Sequence, residues 1–426
     1  MLDIKFIREN KELVKENIVK RQMNFDVGKL LLLDEERRVL LQEVEVLRAE
    51  QNKASEEIGK EKDSAQKQRK IDEMKSLKEK LADLKTKLNV RQREFDGLLY
   101  RLPNMLQPDV PVGKDERDNV VLREIGKKPN PAFKANEYLE IAKNLDLIDI
   151  ERAAKVSGSR FSYLKNQAVV LEFALVKLVF DTLLKEGFKP VVPPVMIKSE
   201  AMQAMGYIDT AEDREERYFL EKDNLYLVGT SEQSIGPMFM NEMLDEKEMP
   251  LRFAAFSTCF RREAGSYGKD TKGILRVHQF DKIEMFSFCR PENSASEHKF
   301  ILGLEEKLMQ KLDLPYRVVQ LCSADLARPS SATYDIETWL SGQEQYRETH
   351  SCSNCTDFQA RRLNIRFKNS KTGKLEFAHT LNGTAFAIGR MLIAILENCQ
   401  QKDGSIKIPK VLRRWSGFKK IERAKK

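Results

Sequence analysis

Proline is absent from the first 102 residues although the chain carries 14, and only three of its 20 glycines (Gly28, Gly59 and Gly97) fall there. Such a stretch has neither of the two strongest helix breakers in quantity and reads as helical almost throughout. Long apolar runs are missing as well. The most apolar segment, residues 168–184, is interrupted by Glu172, Lys177 and Asp181, where a bilayer span needs about 20 apolar residues. The first ten residues carry Asp3, Lys5, Arg8 and Glu9, which leaves no apolar core for a signal peptide. Cysteine is scarce: there are six, and only Cys352 and Cys355 are close together. That pattern excludes the disulfide framework of a short secreted chain. The expectation is an intracellular, cytoplasmic protein with no membrane partner. No phosphate loop, no GxGxxG after a strand and no repeat with a period of about 20–50 residues is present, which argues against the common parallel-sheet nucleotide sites.

What is present points to two or three domains, since 426 residues with 41% hydrophobic content exceed one ordinary core. Within the proline-free region Leu33, Leu40, Leu47 and Ala54 recur every seven residues, with Val44 between them. After Gly59 a second set follows: Met74, Leu81, Leu88 and Phe95, with Leu77, Leu84 and Leu98 offset from it and a break at Arg91. These are a and d positions of a coiled coil over about residues 30–100. The polar run 59–64 makes the simplest geometry a hairpin of two antiparallel helices. Arms of about 30 residues would reach roughly 45 Å. Residues 30–59 hold four basic and eight acidic residues, and residues 60–93 hold twelve basic and six acidic. The second arm is thus a polyanion-binding candidate, with Lys75, Lys78 and Lys85 as its candidate cations; the plain alternative is a solvated face whose opposite charges pair the arms.

Pro103, Pro108, Pro111, Pro129 and Pro131 end the helical region and predict a linker over 104–130. From about residue 131 short β-branched and aromatic runs (225–228, 283–288, 316–321, 364–367) alternate with helical patterns such as 168–185. The expected class is therefore α+β: an antiparallel coiled-coil arm over residues 1–103, then an antiparallel sheet flanked by helices over residues 131–426. In residues 260–286, FRREAGSYGKDTKGILRVHQFDKIEMF, the pattern reads as a β-hairpin with a long basic loop containing Gly265, Gly268 and Gly273. Arg261, Glu263, Arg276, Phe280 and Glu284 would share one face: guanidinium groups for phosphate or carboxylate, an aromatic plane for a base, carboxylates for amino groups. In residues 380–400, TLNGTAFAIGRMLIAILENCQ, Asn382 and Gly383 predict a turn, followed by a helix whose apolar stripe carries Arg390, a cation that needs a partner, either phosphate or a structural carboxylate.

GTSEQS (229–234), FRREAG with RVHQFDKIEMF, ETHSCSNCTDFQARR (348–362) and TLNGTAFAIGR occur in this order. Together they resemble the bacterial-type seryl-tRNA synthetase family, and the likeness extends over the N-terminal hairpin. LLKEGFKPVVPPVM (183–196) is similar to the first motif of class II synthetases, which in that family lies at a homodimer interface; the 260 and 380 clusters are similar to the second and third. The resemblance implies an ATP-dependent serine–tRNA ligase whose partners are ATP, L-serine and tRNA(Ser), with tRNA(Sec) left open as a second acceptor. It implies Arg261 on the α-phosphate and Arg390 on the γ-phosphate as the catalytic pair. Arg262, Glu263, Arg276, Phe280, Glu348, Thr349, His350 and Ser351 complete the ATP site, with Glu263 and Phe280 on adenine. Glu348 and Ser351 would ligate Mg²⁺ carried with ATP. Thr230, Ser231, Glu232, Glu284, Asn382 and Thr384 would form the serine pocket.

No general base is required, because the attacking carboxylate is already ionised. His278 is expected to support its strand, and His298 and His379 to pack or face solvent. Thr349 and His350 depart from the family's usual small or apolar pair before the serine. No zinc is expected at Cys352 and Cys355, which with His350 make one ligand too few. Two readings from other classes are an amino-acid-activating enzyme that loads a carrier protein, against which the retained arm argues, and a non-enzymatic coiled-coil nucleic-acid binder, which leaves Arg261, Glu263, Glu284 and Arg390 unexplained. The net charge of +8 divides into −4 on the first arm, +6 on the second and +7 on the tail 410–426, which has eight basic residues and one acidic; the rest of the chain is nearly neutral at −1.

Overall fold

Helices α1 (Val27–Lys60) and α2 (Ser64–Arg101) make up most of the N-terminal unit. The computed structural model describes residues 1–264 and 273–423, divided into one unit of residues 2–19 with 23–102 and another of residues 1, 20–22 and 103 onward. Both long helices start where an aspartate can cap them: Asp26 accepts from the Lys29 N–H, and Asp63 from those of Ala65 and Gln66, satisfying amides that have no intrahelical partner. At about 1.5 Å per residue the helices extend roughly 50 Å. Their contact follows the predicted seven-residue stripe. Leu33, Val44, Leu81, Phe95 and Leu99 are buried, and Leu40, Leu47, Met74, Leu77, Leu84 and Leu88 are half-buried. The break at Arg91 has a polar explanation, since its guanidinium meets Glu36 of α1 at 3.0 Å. Asp34 is buried between Arg37 (2.7 Å) and Arg8 (3.6 Å), and the Arg37 guanidinium lies 4.6 Å from the centre of the Phe95 ring. Lys75, Lys78 and Lys85 are exposed.

The second unit is organised on eight strands: β1 (Val120–Ile125), β2 (Lys189–Val191), β3 (Leu251–Phe260), β4 (Gln279–Cys289), β5 (Tyr316–Gln320), β6 (Ala332–Leu340), β7 (Gln345–Thr356) and β8 (His379–Ala387). They run in the order β1-β5-β6-β7-β8-β4-β3-β2. Every neighbouring pair is antiparallel except β2 with β3, which is parallel. One face is covered by α3 (Gln167–Leu183), α4 (Ser294–Leu312) and α5 (Ile388–Asn398). Leu171 and Leu175, Ile301 and Leu308, and Met391 and Leu392 of these helices pack with Ile283, Met285, Ile336 and Phe386 of the strands. Because side chains alternate along a strand, Lys282 and Glu284 then face the opposite side, while Phe286 and Phe288 of the same row enter a second apolar cluster with Met205, Phe253 and Phe367. A single strand thereby presents charged groups at one end of its open face and core at the other. Among the described residues no helix is long and apolar enough to cross a membrane.

The structure differs from the sequence-based expectation in two places. Residues 120–125, expected within a linker, form the edge strand β1 and pair with β5; their side chains are mostly exposed, so the alternation that marks a half-buried strand was missing. Asn382 and Gly383, expected as a turn, lie inside β8. There Asn382 pairs with Phe286 and Ser353, and Gly383 with Met285 and Cys352. Glycine serves close approach at this point rather than a turn: a Cβ on Gly383 would lie 2.5 Å from Ile301 and 2.9 Å from a Glu305 carboxylate oxygen on α4. The helix accordingly begins later, at Ile388. The long basic loop was expected to hold Gly265, Gly268 and Gly273; Gly265 and Gly268 lie outside the described residues. Gly273 has φ +87°, and a side chain there would collide with the Tyr138 hydroxyl.

Candidate active site

A cavity of about 260 Å³ opens on the face of the sheet that carries Lys282 and Glu284. The hairpin β3–β4 supplies one wall, although its charged residues sit just past the strand ends. Pairing continues there: the Arg261 N–H donates to the His278 carbonyl at 3.0 Å, and the His278 ring Nδ1 lies 3.0 Å from the Arg261 carbonyl. This lock fixes the direction of Arg261, whose Nε donates to the Gly229 carbonyl at 3.1 Å and whose guanidinium lies 5.3 Å from the centre of the Phe280 ring. Glu263 has φ +53°, an unfavourable backbone for a non-glycine residue and common at functional sites. It turns its carboxylate to Arg276 at 3.1 Å. On α5, Arg390 reaches back to Glu348, with Nη1 2.9 Å from its carbonyl and 3.0 Å from its carboxylate.

The deep end of the cavity is lined by Thr230, Glu232, Glu284, Asn382 and Thr384. Gly229 is tied by its N–H to the Gln233 side chain at 2.8 Å, which holds the Thr230–Glu232 turn in place. Glu284 contacts Lys282 closely, both nearly inaccessible, and accepts from the Thr384 hydroxyl at 3.4 Å. Glu232 accepts a close hydrogen bond from Tyr207. Burial, followed by the neighbouring Glu284, pushes the Glu232 carboxyl up to about 7. Thr230 Oγ1 is buried and has no hydrogen-bond partner among the described residues, a penalty that a small polar ligand would relieve.

Thirteen of the sixteen residues expected in the ATP, metal and serine sets line this one cavity: Thr230, Glu232, Arg261, Glu263, Arg276, Phe280, Glu284, Glu348, Thr349, Ser351, Asn382, Thr384 and Arg390. The other three do not. Ser231 is buried and donates to the Ala255 carbonyl at 3.2 Å. Arg262 is exposed, with its guanidinium 5.4 Å from the centre of the Tyr218 ring. His350 lies wholly inside the sheet, with its ring edge-on to Phe386 and Nδ1 2.8 Å from the Thr349 hydroxyl; burial pushes it down to about 3, so it is neutral. His298 is likewise a packing residue, its Nε2 2.9 Å from the Cys352 carbonyl.

Among the lining residues not singled out from sequence are Tyr207, Arg217 and Lys282. Lys282 was legible, being two positions from Glu284 and so on the same strand face. Tyr207 and Arg217 come from a segment with no motif of its own.

For a divalent ion carried on phosphate, Glu348 and Ser351 both line the cavity with oxygen donors. Asp335, cross-strand from Ser351, accepts from it and keeps a second buried carboxylate oxygen without a partner. A small set of hard oxygen donors with room for phosphate oxygens and water fits Mg²⁺.

An antiparallel sheet backed by helices, with one arginine from each of two separated segments lining a single cavity, is the architecture of a class II aminoacyl-tRNA synthetase. Residues 217–399 match the family described as "tRNA synthetase class II core domain (G, H, P, S and T)". Residues 1–106 match the "Seryl-tRNA synthetase N-terminal domain". Over nearly their whole lengths, a serine–tRNA ligase of Dictyoglomus turgidum is 48% identical (99% of each chain covered), and one of Pyrococcus horikoshii is 43% identical (99% of this chain, 97% of the relative). The crystal structure of the Pyrococcus horikoshii enzyme complexed with ATP superposes with a TM-score of 0.90 at 42% identity, all of both chains being covered. That of a cytoplasmic serine–tRNA ligase from Naegleria fowleri in complex with AMP gives 0.85 at 31% identity, covering 100% of this chain and 99% of the other. The chain belongs to the seryl-tRNA synthetase family and is a serine–tRNA ligase.

Proposed function

We propose that the cavity activates L-serine with ATP and passes the seryl group to the 3′ end of tRNA(Ser), with its residues divided into two sets. At the deep end Glu232 and Glu284 face the substrate ammonium, and Thr230 and Thr384 read its hydroxyl, with Asn382 and the buried Ser231 shaping the turn and wall. The orphaned Thr230 hydroxyl carries this reading: a pocket built to satisfy a hydroxyl leaves polar groups unpaired when alanine enters, worth about 10⁴-fold in favourable cases. At the outer end Phe280 stacks on adenine, Glu263 and Arg276 hold its edge and the phosphates, and Arg390 takes the terminal phosphate. Thr349 lines the wall, while His350 and Arg262 support it from outside. Mg²⁺ held by Glu348 and Ser351 would neutralise phosphate charge.

Chemistry then reduces to positioning. The serine carboxylate attacks the α-phosphorus in line, a C–O–P bond forms, the bond to pyrophosphate breaks, and Arg261 sits where charge accumulates. In the second step a terminal ribose hydroxyl of tRNA attacks the seryl carbonyl and AMP leaves. The exposed cations of α2, among them Lys75, Lys78 and Lys85, supply sequence-independent phosphate contacts.

Apolar side chains exposed on and after α3, namely Val170, Phe173, Leu184 and Val192, support a homodimer through this segment, and the activity belongs in the cytoplasm. Serine-dependent ATP–pyrophosphate exchange, run with and without transfer to tRNA, is the test. Exchange with transfer to tRNA(Ser) is expected; exchange without transfer would favour carrier-protein loading, and neither would leave a binding protein. Adding tRNA(Sec) to the transfer assay decides the second acceptor.

A further inference from the structure

Arg217 is the cation of the cavity for which the reading above supplies no partner. Its guanidinium lies 5.3 Å from the centre of the Tyr207 ring. Among the described residues its one polar contact is long, Nη1 to the Glu216 carbonyl at 3.5 Å, and its Nε is buried with nothing to donate to. Two of the nearby acids are engaged elsewhere: Asp213 pairs with Arg328 at 2.8 Å, and Glu232 accepts from Tyr207. Of the charged groups around it, Arg261 acts on it most strongly, ahead of the opposing Glu216 and Asp213. A Cβ on Gly229 would lie 3.4 Å from Arg217 Nη1 and 3.5 Å from Arg261 Cγ, so the two arginine side chains flank the same glycine. Burial and then Arg261 push Arg217 down from its ordinary basicity. Two neighbouring guanidinium groups with no acid between them are costly until an anion joins them.

Two anions of the reaction meet near Arg261, the serine carboxylate and the α-phosphate. Position separates them. Arg217 stands on the Tyr207–Glu232 side, the amino-acid end, whereas Arg276, Phe280 and Arg390 line the nucleotide end. We propose that Arg217 is a substrate-binding residue that grips the serine carboxylate together with Arg261 and orients it for attack on the α-phosphorus. The stack on Tyr207 fixes the fork, and Tyr207 in turn holds Glu232, so one side chain couples the carboxylate and ammonium contacts. This rests on the serine-pocket assignment made above.

The test uses the full-length protein and two ligands of nearly the same shape, L-serine and L-serinamide, which lacks the negative charge, titrated calorimetrically alongside ATP. Arg217→Met is expected to weaken L-serine by about tenfold or more, the scale of a charge-assisted hydrogen bond. L-serinamide and ATP affinities stay within about twofold, and Arg217→Lys falls between; the Lys variant carries the same comparison if the Met variant does not fold. Equal weakening of serine and serinamide, or of neither, overturns the proposal. If the unaltered protein itself does not prefer serine to serinamide, the pocket assignment fails along with it.

Discussion

Serine affinity should depend on pH through Glu232. In the free protein its carboxyl is pushed up to about 7, chiefly by burial and then by Glu284, with the Tyr207 hydroxyl opposing. A substrate ammonium needs the ionised form, so binding must expel the proton from whatever fraction carries it. The sign follows: affinity is full above about pH 8 and falls as pH drops through 7. For one such group the apparent Kd rises about tenfold by pH 6 and approaches a hundredfold at pH 5, each pH unit below 7 being worth about 1.4 kcal/mol. Serine's own charges do not change in this window, so the dependence belongs to the protein. Titration calorimetry at pH 7 in buffers of different ionisation enthalpy should find about half a proton released per serine. Glu232→Gln should bind serine weakly at every pH, with the slope gone. A flat Kd between pH 6 and 8 together with buffer-independent heats would refute the reasoning.

Other perturbations separate packing from chemistry. His350→Asn is expected to leave the ATP KM within about twofold and to alter stability instead. His350 is held neutral with its pKa near 3, below the ordinary value, so its contribution is present above about pH 6.5 and is lost as pH falls towards 3. Between pH 6 and 4 the unaltered protein should lose roughly 2 kcal/mol more than the variant, read by denaturant melts. Arg362 and Asp209 form a fully inaccessible ion pair at 2.7 Å, with Arg328 3.4 Å from the same carboxylate oxygen; Arg362→Met leaves Asp209 only that longer contact and should cost about 3 kcal/mol in the same melts. Replacing Lys75, Lys78 and Lys85 by glutamine should raise the KM for tRNA and flatten its salt dependence while ATP–pyrophosphate exchange is unchanged. Equal loss of both activities would remove the arm from tRNA recognition.

The coiled-coil arm was legible because everything that specifies it is local. A seven-residue apolar period, the absence of proline and a capping aspartate at each start are all short-range properties, and even the break at Arg91 marked a real polar contact. The motif residues were legible for a related reason: alternation along β4 places Lys282 and Glu284 on one face without knowledge of the neighbours. Long-range pairing decided the rest. Nothing in the sequence near residues 120–125 announces a strand, because an exposed edge strand is defined by its partner β5 and not by its own alternation. Asn382 and Gly383 look like a turn until β8 is seen between β7 and β4 with α4 pressed against it, where glycine is needed for want of space. His350 sits in the middle of a site motif in sequence, yet strand alternation, interrupted by a register shift between β6 and β7 near it, carries it into the core. Arg217 and Tyr207 belong to no motif at all. Sequence by itself determined the family, the arm and most of the chemical groups of the cavity; only the tertiary structure added Arg217 and Tyr207 and determined which groups share a surface, because that depends on register and burial between segments more than a hundred residues apart.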